Sequence, residues 1–144
     1  MRPTSIVRFD RLYLGSIVLG LIGNLVEWPV TIARLTADPA TAILGSSVPI
    51  LVGGMIATGA LIALLLWYFT AKRASNVARW IVTAFTAFAV GSLFVGYGSG
   101  AVVLDAGGII RIVSVALQTA ATFFLFRPDA AAWFAPFQTV EDDA

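Results

Sequence analysis

The chain contains no cysteine and no histidine. That absence excludes disulfides, thiol redox chemistry, thiolate or imidazole metal sites, haem held by histidine, and every histidine-dependent nucleophile relay. Charge is also scarce. Only 12% of the 144 residues are charged, nine basic against eight acidic, so no basic surface exists to neutralise a nucleic-acid backbone. Neither a nucleic-acid partner nor a cofactor is expected. Long polar stretches are missing too: the connections at 37–47, 72–79 and 100–108 are too short to fold as domains, so residues 1–144 form a single unit.

What the chain does have is apolar sequence. Hydrophobic residues make up 59% of it and its mean hydropathy is +0.92, far from soluble-domain values. A hydrocarbon core of about 30 Å requires roughly 20 mostly apolar helical residues. Two charge-free stretches meet this plainly, at 48–71 and 80–99. Two more are shorter, 12–26 ahead of Glu27 and 112–126 after Arg111. At 1.5 Å per residue such a stretch covers only about 22 Å, so Glu27 and Arg111 belong to the crossing helices. The expected architecture is an all-α, up-down-up-down bundle of four transmembrane helices, at about 12–33, 48–71, 80–99 and 109–126.

Arg2, Arg8 and Arg11 precede the first apolar run, and Ala40-Thr41-Ala42 has the small residues of a signal-peptidase site. Such a site belongs close behind the apolar region, whereas this one lies beyond Glu27 and Arg34. An uncleaved first span is the reading, with cleavage as the alternative. Seven basic residues (Arg2, Arg8, Arg11, Lys72, Arg73, Arg79, Arg127) fall on one side of this topology and two (Arg34, Arg111) on the other. The positive-inside rule then puts both termini in the cytoplasm. Tyr13, Trp28, Trp67, Tyr68, Trp80 and Tyr97 lie at expected helix ends, as interface anchors do. Trp133 belongs to RPDAAAWFAPF, read as a short interfacial helix over 129–137 with Asp129 as its cap, and with Phe134 and Phe137 in the interface. The closing EDDA reads as a frayed tail.

FVGYGSG, residues 94–100, contains the VGYG string of potassium-channel filters. Phe94 stands where such a filter carries a threonine, and a re-entrant segment here would move Lys72, Arg73 and Arg79 to the wrong side. The string reads instead as a helix stop. Small residues recur at helical spacing at Gly53 and Ala57, Gly59 and Ala63, and Ala87 and Gly91, which lets backbones approach in lipid. Packing within the chain accounts for them, and a homodimer seam or a contact within a larger membrane-protein complex is the alternative.

Polar residues inside the spans form two stripes. Arg111, Ser114, Gln118 and Thr122 are spaced by 3, 4 and 4 residues on one face of the fourth helix. Ser16, Gly20, Gly23, Asn24 and Glu27 mark a face of the first. If the first helix rises from Leu12 and the fourth descends to Arg127, Glu27 lies about 22 Å from the inner edge and Arg111 about 24 Å. These matching heights predict that the two helices are neighbours, with Glu27 paired to Arg111 and Asn24 bonded to Ser114 or Gln118. Asp105 and Arg34 are the competing partners. The candidate site is therefore Asn24, Glu27, Arg111, Ser114 and Gln118. Intramembrane ionisable groups mark ion paths or ligand counter-charges, or they clasp helices together.

The end segments RPTSIVRFDRLYLG and FLFRPDAAAWF resemble those of uncharacterised small four-span bacterial inner-membrane proteins. The resemblance implies topology and an inner-membrane location, and brings no activity with it. The chain departs from small four-helix multidrug transporters, whose membrane-embedded glutamate comes early in the first span, and from fluoride channels, whose Gly-rich stretch and Arg-Tyr pair have no counterpart here. The expected function is a non-enzymatic interaction or accessory subunit in contact with membrane lipids, with a polar clasp between the first and fourth helices. The alternative is a small transporter, channel, or lipid or small-molecule binder that uses the same residues.

Overall fold

The computed structural model describes residues 2–100 and 104–135. The described residues are all-helical, without strands. The helices are α1 (Thr4–Ala37), α2 (Val48–Ala71), α3 (Asn76–Gly98), α4 (Ala106–Phe124) and α5 (Pro128–Phe134), with a 3-10 segment, Ala42–Ser47, before α2. The first four are each long and apolar enough to cross a membrane, which marks a multi-pass membrane protein.

Each helix end has a local cause. Ser75 caps α3 by accepting from the Ala78 backbone N–H at 3.2 Å, and Asp105 caps α4 by accepting from Gly108 N–H at 2.8 Å. Asp105, a candidate partner for Arg111, is thus engaged by its own helix. Gly45, at φ 48°, turns the chain inside the 3-10 segment where a side chain would be strained. The VGYG string is helical, forming the last turns of α3, and Tyr97 donates its hydroxyl to the Gly108 carbonyl at 3.3 Å.

Four helices differ in their bounds from expectation, α3 among them, which runs Asn76–Gly98 rather than 80–99. α1 has 34 residues, about 51 Å, and begins at Thr4 rather than near residue 12. Arg8 and Arg11 hid its first turns from a search for charge-free runs, yet both are exposed while Ile6, Phe9 and Tyr13 on the other face are buried. α4 starts and ends slightly earlier than 109–126, and α5 covers 128–134. Phe137 and EDDA lie outside the described residues. Asp129 does not cap α5, whose N-cap position is Arg127 without a side-chain bond.

The core lies towards one end of the molecule. Ile6, Phe9, Tyr13, Ala71, Val82, Ala121, Leu125, Ala130 and Phe134 form one buried cluster where the α2–α3 turn and the start of α1 meet α5. Towards the other end contact is thinner, and α1 and α4 form the most extensive pair. Trp28 packs on Gly53 to join α1 to α2. With little hydrophobic drive between helices in lipid, close approach and buried polar bonds carry such joints.

Candidate functional site

Glycines on α1 set the seam between α1 and α4. A Cβ on Gly20 would stand 3.4 Å from Ser114 Oγ, and one on Gly23 would stand 3.2 Å from Ile110 Cγ2. Glu27 is packed over Gly107, where a Cβ would come within 2.5 Å of Glu27 Cγ. Nearer the core, Arg8 lies over the Phe124 ring, and Ser5 meets Asp129. Numbers rise along α1 as they fall along its partner, so the two helices are antiparallel.

The neighbourhood of the first and fourth helices agrees with the sequence reading, but the register does not. Glu27 is level with Gly107, four residues from Arg111, about 6 Å along the axis. The expected alignment took Leu12 and Arg127 as matching ends. In fact α1 extends inward to Thr4 and α4 ends at Phe124, which slides the two stripes past each other. The expected Glu27–Arg111 ion pair is therefore not formed. Among the described residues the one ion pair is Arg2–Asp10, at 3.4 Å, and Arg34 is not paired with Glu27.

Hydrogen bonds follow the same shift. Ser114 donates to the backbone carbonyl of Ser16 at 2.8 Å rather than meeting Asn24. Gln118 turns to α3 instead, donating from Nε2 to Thr86 Oγ1 at 3.2 Å, and Thr86 and Thr122 share a buried bond of 2.9 Å. Thr86 was missed in the sequence, although a threonine within the apolar third span was its signal. The Ser16 carbonyl, a backbone group, had none.

Two adjoining spaces result. One, of about 250 Å³, is lined by Glu27, Arg111, Asn24 and Ser114, with Gly20, Gly23, Gly107 and Val115. Asn24 and Arg111 are exposed and Glu27 is half-buried. The second, of about 470 Å³, lies between α1, α2, α3 and α4 and is mostly apolar, with Ile17, Leu21, Met55, Ile56, Leu66 and Phe85 in its wall and Tyr13, Ser16, Asn24, Ser114 and Gln118 as its polar residues. Gly20, Asn24 and Ser114 line both, so an ionic recess opens beside an apolar chamber. All five candidate residues line one or both spaces. This set offers a carboxylate acceptor, a guanidinium donor and an amide, which suits holding a charged head beside an apolar body. Among the described residues no group of three or more potential metal-binding side chains is present.

The aromatic residues divide. Tyr13 is 3% exposed and stacks on Phe9 at 5.1 Å, so it is an interior residue, because α1 begins two turns before it. Trp67 donates its indole N–H to Asp10, Arg73 lies over Tyr68, and Trp80 meets Phe126 edge-on at 5.5 Å. Trp133 is half-buried in α5. No family model, no curated protein and no solved structure matches the chain.

Proposed function

We propose that this is a non-enzymatic membrane protein that binds a small amphipathic molecule, the charged head at Glu27, Arg111 and Asn24 and the apolar body in the chamber between α1, α2, α3 and α4. The observation that carries the reading is that Glu27 and Arg111 line one recess without pairing to each other. Opposite charges brought that close and left apart suit a zwitterionic or ion-paired head. The chamber's volume lies in the range of small-molecule sites, roughly 300–1,000 Å³. The resemblance of the end segments supports a bacterial inner membrane, and the seven-to-two division of basic residues supports spans running up, down, up, down with both termini cytoplasmic.

Fluorescent lysophosphatidylethanolamine, a zwitterionic single-chain amphiphile, is the test probe. Titration into the detergent-solubilised protein is expected to saturate, and Glu27→Gln combined with Arg111→Gln to weaken binding about a hundredfold. Unchanged affinity in that double variant overturns the reading.

A second reading, an accessory subunit, has its own support. A Cβ on Gly91 would meet nothing within 4 Å, and Gly91 and Ala87 are both exposed, so this small-residue face is not consumed by packing within the chain. Under this reading Gly91→Leu leaves the monomer's stability unchanged and abolishes co-purification of a second copy or another subunit. A wild-type protein that purifies alone as a monomer removes it.

A further inference from the structure

Phe124 is shared by two features that the site above does not use. Arg8 and Arg127 both lie over its ring, at 5.5 and 5.9 Å from the centroid. The same ring closes one end of an apolar groove of about 910 Å³ between α3 and α4, whose wall runs through Phe123, Thr119, Val115 and Ile112 towards Tyr97. From Ile112 to Phe123 the groove follows α4 for about 17 Å.

Neither guanidinium is held in an ion pair among the described residues, although Arg127 lies near enough to Asp129 for its charge to help lower that carboxyl's pKa. Asp10 accepts from Trp67 and pairs with Arg2, and Asp129 accepts from the Ser5 backbone N–H at 3.1 Å and its hydroxyl at 2.6 Å. A guanidinium resting over a ring keeps its N–H donors, which lie in its own plane, free to meet phosphate oxygens at its edge. The apolar groove beside the pair supplies what a free phosphate does not need.

We propose that Arg8 and Arg127 seat the phosphate of an anionic phospholipid whose acyl chain lies in the α3–α4 groove. The inference rests on the four helices crossing a bilayer and is independent of the Glu27 site. The seat belongs to the leaflet at the end of the molecule that holds the start of α1.

The full chain is reconstituted in nanodiscs of phosphatidylglycerol and phosphatidylcholine, and the lipids retained on extraction are counted by native mass spectrometry. Wild type is expected to retain phosphatidylglycerol preferentially, and Arg8→Gln with Arg127→Gln to reduce that preference about thirtyfold. Ala120→Trp, which fills the groove without changing charge, lowers it as well and keeps the test sound if the arginine variant folds poorly. Lys72→Gln with Arg73→Gln removes two charges elsewhere at the same end and leaves the preference intact. Equal retention of both lipids by wild type overturns the proposal, as does an equal loss in the lysine–arginine control. Displacement of the retained lipid by glycerol phosphate also overturns it, since a soluble anion would then suffice.

Discussion

Asp129 has two donors from one residue, the Ser5 hydroxyl and the Ser5 backbone N–H, and through them it closes the first turn of α1. The first N–H groups of a helix have no partner within it, so a carboxylate from α5 supplies what Pro3, without a capping side chain, cannot. The Ser5 hydroxyl, and then its backbone N–H, hold the carboxyl below its ordinary value of 3.8. A lowered folded-state pKa gives stability that is present above the ordinary value and lost as pH falls through the lowered one. Asp129→Asn is expected to lower Tm by a few degrees at neutral pH and to leave Tm flatter than wild type across the acid limb. Thermal unfolding in detergent from neutral pH to pH 3 measures both. An identical acid limb in the two proteins would show that this carboxylate does not link α5 to α1.

At the scale of elements, α3 is joined to α4 by the Thr86–Thr122 bond and by Gln118, while α1 meets α4 through glycines and the Ser114 hydroxyl. Interhelical hydrogen bonds in membranes contribute about 0.6 kcal/mol on average. A double-mutant cycle of Thr86→Val and Thr122→Val should therefore give a coupling of about 0.5–1 kcal/mol. Zero coupling would show the two hydroxyls to be independent. That α1 and α4 are neighbours was legible in their polar stripes, because such groups avoid lipid and seek one another. Their register was not. It depended on where α1 begins, and the packing of Ile6 and Phe9 against α5 fixed that against the local signal of Arg8 and Arg11.

Across the whole molecule, dense packing at one end leaves room towards the other. Tyr13, at the edge of the core, is also in the wall of the chamber that continues past Gly20 to Asn24. Filling that space tests whether it is a binding chamber or a slack joint between helices. Ala60→Phe puts a ring into the chamber from α2, where the wall is apolar. It is expected to weaken lysophosphatidylethanolamine binding by about tenfold or more while leaving Tm unchanged or raised, since a ring in open space adds contacts without overpacking. Binding titration and thermal unfolding of the same sample separate the outcomes. A fall in Tm with binding intact would mean that the chamber closes in the working protein.

The sequence by itself determined the four long apolar helices, since only runs of that length and composition satisfy backbone and side chains in lipid. It also marked Asn24, Glu27, Arg111, Ser114 and Gln118 as polar groups costly in an apolar span, while Thr86, a weaker polar signal, was passed over. The tertiary structure alone decided how those residues meet: Glu27 over Gly107, Ser114 on the Ser16 carbonyl, and Gln118 on Thr86. Helical spacing fixes which side chains share a face, but the sliding of one helix past another is set by packing at its far end. Here that packing joins Ser5 to Asp129, and so leaves Glu27 and Arg111 in one recess without a bond between them.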